Sequence, residues 1–214
     1  MRNALIFWGG WAGHQPEECS VVVRELLESN GFNVRVEDNT TCLRDLKPQD
    51  VDLIVPIVTM SKIEKEDEQA LTGAVKSGVG LAGFHGGLGD SFRECSQYQY
   101  MVGGQFVAHP GDFIDYTVNI TRPDDEIVKG ISDFEFHSEQ YYMHVDPSNE
   151  VLAETTVSGA HDAWTKGTVM PVVWKRRYGE GRVFYSALGH SAEELKIPQV
   201  RDIFVRGAAW AARG

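Results

Sequence analysis

Four histidines stand where an apolar run breaks into a turn, and imidazole is the side chain best suited to act as acid, base or metal ligand near neutral pH. The sharpest case is the stretch "GLAGFHGGLGD", Gly80 to Asp90, in which a strand-like run ends at His85. Its spacing, Gly83-x-His85-x-Gly87, has the form of a nucleophile elbow. Such a strained strand-to-helix turn lifts one side chain above a sheet, and glycines flank it because larger residues would clash. Elbows of this kind usually carry Ser or Cys for acyl transfer. With His at the centre the pattern speaks against an ordinary esterase or glutaminase and for proton transfer or metal binding. The plain alternative is a glycine-rich turn with a solvent-facing ring.

The other candidates follow the same logic. "EGRVFYSALGHSAEEL" ends a strand-like run at Gly189-His190, and the acidic pair Glu193 and Glu194 offers a carboxylate that could fix the tautomer of that imidazole, or merely begins a helix. In "FEFHSEQYYMHVD", read as one strand, alternation puts His137, Glu139, Tyr141 and Met143 on one face and Phe136, Ser138, Gln140, Tyr142 and His144 on the other. Partial burial among aromatics would then raise the Glu139 pKa toward a value useful in proton transfer, while His137 and His144 read as packing or surface residues. His109 precedes Pro110 in "VGGQFVAHPGD", a rigid turn that could aim the ring at a pocket, and His14 lies in the first glycine loop, "WGGWAGHQ". His161 reads as a surface residue. Trp8 and Trp11 bracket the first loop, where an aromatic face could stack on a sugar ring, although most Trp in a chain of this size are core.

These positions need a scaffold that brings loop ends together. "ALIFWGG" is a continuous apolar run of the kind found in a parallel strand covered on both faces. The segment after it carries Pro16 at a first helical position, Glu17 and Glu18 at the positive helix end, apolar residues at three-to-four spacing, and Gly31 as a stop. "FNVRVED", "DLIVPIVT" and "VGLAGFHGG" read as further strands and "EKEDEQALTGAVKSG" as a helix, an alternation that predicts a doubly wound, mainly parallel sheet. Later segments are strand-rich until a last helix in "IPQVRDIFVRGAAWAA", so the C-terminal half should carry an antiparallel extension. In open α/β sheets ligands lie outside the carboxyl ends of the strands, and that is where these histidines fall.

Composition narrows the choices. With 214 residues, 42% hydrophobic and 24% charged, the chain reads as one ordinary domain, residues 1–214, without repeats or linkers. Cys19, Cys42 and Cys95 are far apart and fit reduced, structural thiols rather than a disulfide or zinc-ribbon pattern. A formal net charge of −11 with no basic block makes nucleic acid and anionic membranes poor partners. With no apolar run of membrane-spanning length and no secretory signal pattern, a cytoplasmic location is expected.

Taken in order, "WGGWAGHQP", "GFHGG", "VGGQFVAHP", "SEQYY", "PVVWKRRYGEGRVFYSALGHS" and "GAAWAA" resemble the ThuA-like, or trehalose-utilisation, family of the class I glutamine amidotransferase-like superfamily, over nearly the whole chain. The resemblance implies a flavodoxin-like three-layer αβα sandwich in which the triad cysteine position falls on His85 and the triad histidine position on His190. It also implies a bacterial role in disaccharide catabolism, near keto-sugars formed when a dehydrogenase oxidises trehalose or related glycosides. Ser138 and Gln140 depart from the "DELY"-like wording of many members, whereas Glu139 and Tyr141 keep it.

The expected activity is therefore acid–base chemistry on a disaccharide or 3-keto-glycoside, by isomerisation, epimerisation, elimination or hydrolysis. Glu139 is the expected base, with His85 and His190 as acid and oxyanion stabiliser; Trp11, His14, Gln105, His109 and Tyr141 would hold the sugar. A divalent ion, Zn or Mn, held by His14, His85, His109 and His190 is a variant of this reading, though no short metal signature such as HExxH occurs. A non-catalytic sugar-binding or regulatory protein with a degenerate site is the alternative. A homodimer and a partner sugar dehydrogenase are further expectations.

Overall fold

The computed structural model describes all residues, Met1–Gly214. The apolar run at the N-terminus forms β1 (Arg2–Gly10), followed by α1 (Pro16–Ser29) with Pro16 in its first turn and acidic residues at its positive end. Next come β2 (Phe32–Glu37), β3 (Leu53–Thr59), α2 (Lys65–Lys76) and β4 (Gly80–Phe84). β3 and β4 are buried along their whole length, as continuous apolar runs in a covered parallel sheet should be. The elbow region supplies the short helices α3 (His85–Gly89) and α4 (Ser96–Val102). The C-terminal half adds β5 (Gly104–Ala108), β6 (Phe113–Ile120), β7 (Phe134–Glu139), β8 (Tyr142–Val145), β9 (Glu150–Thr156), β10 (Val169–Tyr178), β11 (Gly181–Ser186) and α5 (Pro198–Ala211).

The main sheet has nine strands in the order β2-β1-β3-β4-β11-β10-β9-β6-β7. The first five are parallel and the rest antiparallel, so the expected extension is present and adds four strands. α1 packs on β1 and β2 and α5 on β4 and β11, both touching the turn at 194–196, while α2 and α4 pack on each other. This is the flavodoxin-like mixed α/β architecture. Because the chain leaves β1 toward β2 on one side and returns through β3 on the other, the strand order reverses between β1 and β3. That reversal opens the crevice in which α/β proteins place ligands.

One expected element divides. The segment "FEFHSEQYYMHV" is two strands and not one: β7 closes the main sheet, the chain turns at Gln140 and Tyr141, and β8 pairs with β5 in a separate two-stranded sheet. Alternation therefore stops at Glu139, and Ser138, Glu139 and Gln140 are all buried in succession. The break follows position, since β7 ends beside the histidines while β8 pairs with β5 and packs on β10.

Register aligns the strand ends. Gly10 pairs with Thr59 across β1 and β3, and Phe84 with Ser186 across β4 and β11, so the loops after these strands start side by side. Trp11 then donates its backbone N–H to the Thr59 carbonyl at 2.9 Å. Gly10 has φ +79°, and a Cβ there would run into the Thr59 backbone, whereas Gly31 at φ +84° faces open space. Gly31→Ala should cost about 1–2 kcal/mol from the left-handed backbone alone, and Gly10→Ala about 2 kcal/mol more from the steric conflict. Urea unfolding of the two variants measures the difference; equal costs would mean the first loop is not pinned to β3.

Candidate active site: a buried histidine and carboxylate centre

His85 has φ +45°, in the left-handed region that a residue with a side chain rarely occupies, at the junction of β4 and α3. The elbow is thus real and strained, and its ring is not solvent-facing: His85 is 1% exposed. Tyr185 donates its hydroxyl to the His85 carbonyl at 3.1 Å, and Tyr141 stacks on the ring with centroids 4.0 Å apart. Gly86 is required by a close approach, because a Cβ there would sit 2.6 Å from a ring atom of His14.

The two nitrogens of His85 face oxygens that only accept. Nδ1 is 2.8 Å from the Ala187 carbonyl, reached because β4 and β11 end together, and Nε2 is 3.0 Å from Glu139 Oε2. A neutral imidazole has one N–H for these two acceptors. Burial pushes the His85 imidazole down to about 4, outweighing the upward pull of its bond to Glu139. A doubly protonated ring is therefore disfavoured near neutral pH.

Glu139, at the end of β7, is the hub. Its Oε2 lies 3.3 Å from His190 Nδ1 and 3.8 Å from His14 Nε2 as well as 3.0 Å from His85, and its Oε1 lies 3.8 Å from His109 Nε2. No lysine or arginine pairs with it; all its charged-type neighbours are histidines. Burial drives its carboxyl upward, but side-chain hydrogen bonding by His14, His190 and His85 wins and holds it well below the usual carboxylate range. This corrects the expected raised pKa. Glu139 is an ionised, already engaged carboxylate, and such a group is a weak base.

Further residues fix the ring positions. His14 Nδ1 is 2.9 Å from the Thr59 hydroxyl at the end of β3. Glu194 accepts from the Ser138 hydroxyl at 3.0 and 3.1 Å and from the His190 backbone N–H at 2.9 Å, tying the β7 end to the loop after β11. Neither carboxylate of the Glu193–Glu194 pair meets the His190 ring as the sequence allowed; Glu194 holds the backbone instead, and the carboxylate at the ring is Glu139. Burial raises the Glu194 carboxyl.

Among the expected sugar contacts, His14 is brought into the centre and His109 stands at its rim, half-buried. Trp11 lies 46% exposed with its ring edge-on to His14, at a centroid distance of 4.7 Å. Tyr141 is buried as the plate under His85, and Gln105 donates to Asp90 at 3.3 Å and to the Phe106 carbonyl, away from the four central groups. Phe113, missed in the sequence, is 46% exposed and packs edge-on against His190 at 4.7 Å. Its pairing with Glu139 across β6 and β7 puts it there, a register that the sequence does not display. His137, His144 and His161 are exposed, as expected.

His14, His85, Glu139 and His190 each offer one ligand atom, all within 4.8 Å of one another, a group able to hold a metal ion. The expected set of four histidines is thus corrected at one place: Glu139 belongs to the group and His109 stands outside it. A cavity of about 430 Å³ lies elsewhere, between Met60–Glu64 and Phe92–Cys95. It contains no histidine, and the convergence of buried ionisable groups makes the smaller centre the candidate for chemistry.

A flavodoxin-like sheet with a strained elbow and a polar centre at its parallel strand ends defines a class of α/β proteins whose candidate site sits at the strand ends. Within it this chain belongs to the ThuA family, described as trehalose utilisation, whose profile matches residues 3–211. The fold is similar to a ThuA-like protein from Parabacteroides merdae, at 18% identity and TM-score 0.81 over 98% of this chain and 89% of the other. A ThuA-like protein from Bacteroides uniformis is similar at the same identity and TM-score, over 98% and 91%. A cytoplasmic protein from Salmonella typhimurium shares the fold at 13% identity and TM-score 0.64 over both full chains. No curated protein matches the sequence. Family membership places the chain in sugar metabolism, and no helix is long and apolar enough to cross a membrane.

The Glu194 bridge is testable by stability. Glu194→Ala leaves the Ser138 hydroxyl and the His190 N–H unpaired and should cost about 2–4 kcal/mol in urea unfolding, against about 1 kcal/mol for Ser138→Ala. A loss below about 0.5 kcal/mol for Glu194→Ala would show that the two loops are held by other contacts.

Proposed function

We propose that this protein is a cytoplasmic enzyme of sugar catabolism that acts on a disaccharide or 3-keto-glycoside of the trehalose type by proton transfer, and not a glutaminase. The observation that carries the reading is the convergence on Glu139 of four histidines from four separate loops, in a family described as trehalose utilisation. Passive recognition of hydroxyls does not require so many ionisable groups at one point. Residues 1–214 are read as one functional domain, with a homodimer as the expected assembly.

A ketone on a sugar ring acidifies the neighbouring C–H. Removing that proton makes an enolate, and its return at another atom isomerises or epimerises the sugar, while expulsion of the glycosidic oxygen cleaves it. Such a step needs a polarising group at the ketone oxygen and a proton carrier at the carbon. The buried group of His85, Glu139 and His190, with His14, supplies the first. Glu139 was the expected base, but its Oε2 is shared among three rings, so the role passes to His109, half-exposed and 3.8 Å from Glu139 Oε1. Trp11 and Phe113, exposed on either side of the centre, offer faces on which a sugar ring can lie. A ketone substrate has to be made by oxidation, which places a sugar dehydrogenase upstream.

Thioester chemistry has no support at the elbow. Cys95 caps α4, its Sγ accepting from the Tyr98 N–H at 3.3 Å, and burial raises its thiol. Burial likewise takes Cys19 up to about 12 and Cys42 to about 11.

The test is proton NMR in D₂O with 3-keto-trehalose and methyl 3-keto-glucoside. The wild type should exchange or move the proton beside the ketone. His109→Gln should lower kcat by about 10²–10⁴-fold with KM little changed, and Cys95→Ser should leave the rate within about twofold. Binding of both keto-sugars without any exchange would overturn the reading in favour of a sugar sensor.

A further inference from the structure

We propose that His14 Nε2, His85 Nε2, His190 Nδ1 and Glu139 Oε2 form a binding site for a single divalent transition-metal ion, zinc or manganese. The site stands on its own geometry, whichever substrate the protein acts on.

Spacing is the first argument. Bonds of about 2.0–2.2 Å to one ion separate neighbouring ligand atoms by roughly 3.0–3.5 Å. The measured separations are 3.0 Å for Glu139 to His85, 3.3 Å for Glu139 to His190, 3.3 Å for His85 to His190 and 3.8 Å for Glu139 to His14. The three separations among Glu139, His85 and His190 are ligand-to-ligand edges, and His14 stands slightly farther out, all four atoms lying within 4.8 Å of one another.

Lone pairs are the second. Neutral His85 has one N–H for two acceptors, so when the Ala187 carbonyl takes it, Nε2 presents a lone pair toward the Glu139 carboxylate, a contact that a cation would bridge. His190 Nδ1 faces the same two atoms. A proton on His190 answers one of these contacts and still leaves His85 one N–H short, facing either Glu139 or the Ala187 carbonyl acceptor to acceptor. One cation answers all four ligand atoms at once, and it also supplies the positive charge that no lysine or arginine brings to this buried carboxylate.

Outer support is the third. Metal-bound histidine normally gives its other N–H to a carbonyl, hydroxyl or carboxylate that fixes ring and tautomer. His85 has the Ala187 carbonyl and His14 has the Thr59 hydroxyl, while Glu194 clamps the backbone of His190 to Ser138, the residue before Glu139. Imidazole with one carboxylate suits zinc, and tolerates manganese where open positions complete the shell.

The experiment uses the full chain with any affinity tag removed, stripped with a chelator and dialysed. Zinc sulfate and manganese chloride are then titrated by calorimetry, with metal content by plasma mass spectrometry and Tm followed in parallel. About one equivalent of at least one metal should bind and raise Tm. Glu139→Gln and His190→Ala should lose at least 100-fold in affinity, while His137→Ala, an exposed histidine off the site, should bind as wild type. Should a ligand variant fail to fold, Thr59→Ala keeps every ligand and should weaken binding about 10–100-fold. Binding below a tenth of an equivalent with no shift in Tm, or undiminished binding in folded Glu139→Gln, His190→Ala or Thr59→Ala, would overturn the site. Because these readouts need no sugar, a metal-loaded protein inactive on keto-sugars would sink the proposed activity and leave the metal site standing.

Discussion

A carboxylate buried without lysine or arginine is the constraint around which the rest of this structure is arranged. Ionised Glu139 would cost several kcal/mol if left unpaired in an apolar interior, and the chain answers with imidazoles brought from the ends of β1, β4, β5 and β11. Each of those loops is in turn fixed by a strand partner. Removing the carboxylate would leave four rings with no common target, and removing one ring would leave the carboxylate under-compensated.

The parallel half of the sheet makes the convergence possible. Neighbouring strands that run the same way deliver their following loops to one edge, and the reversal of strand order between β1 and β3 opens the gap into which His14 descends onto the Thr59 hydroxyl. The antiparallel half performs the complementary task. β6 and β7 approach from the far side of the sheet and carry Phe113 and Glu139 to the same edge, so that a carboxylate absent from the parallel strands completes the centre. The strain at His85, a residue with φ +45°, is the local cost of turning its ring toward that point.

Local signals in the sequence carry the strand, glycine and histidine grammar of the parallel half. The elbow at His85, the Gly189-His190 pair and the His14 loop are each marked by an apolar run that breaks, which is why these three residues and the fold class are legible. Glu139 is legible as a residue but not as a hub, because strand alternation through Tyr141 conceals the turn that separates β7 from β8. Thr59, Phe113 and the Glu194 clamp are invisible for a different reason: each acts through register between segments distant in sequence, and nothing near them in the chain encodes the partner. His109 reads as a site residue from its proline turn, but only the folded arrangement puts it at the rim and not among the four central groups.

Anomalous diffraction from crystals grown with zinc or manganese tests the central claim, that four side chains converge on one functional point, most directly. The account predicts a single strong peak bounded by His14 Nε2, His85 Nε2, His190 Nδ1 and Glu139 Oε2, with the four side chains in the positions described and His109 outside the coordination shell. A well-ordered site with no peak between these atoms, or a peak held by other residues, would contradict it.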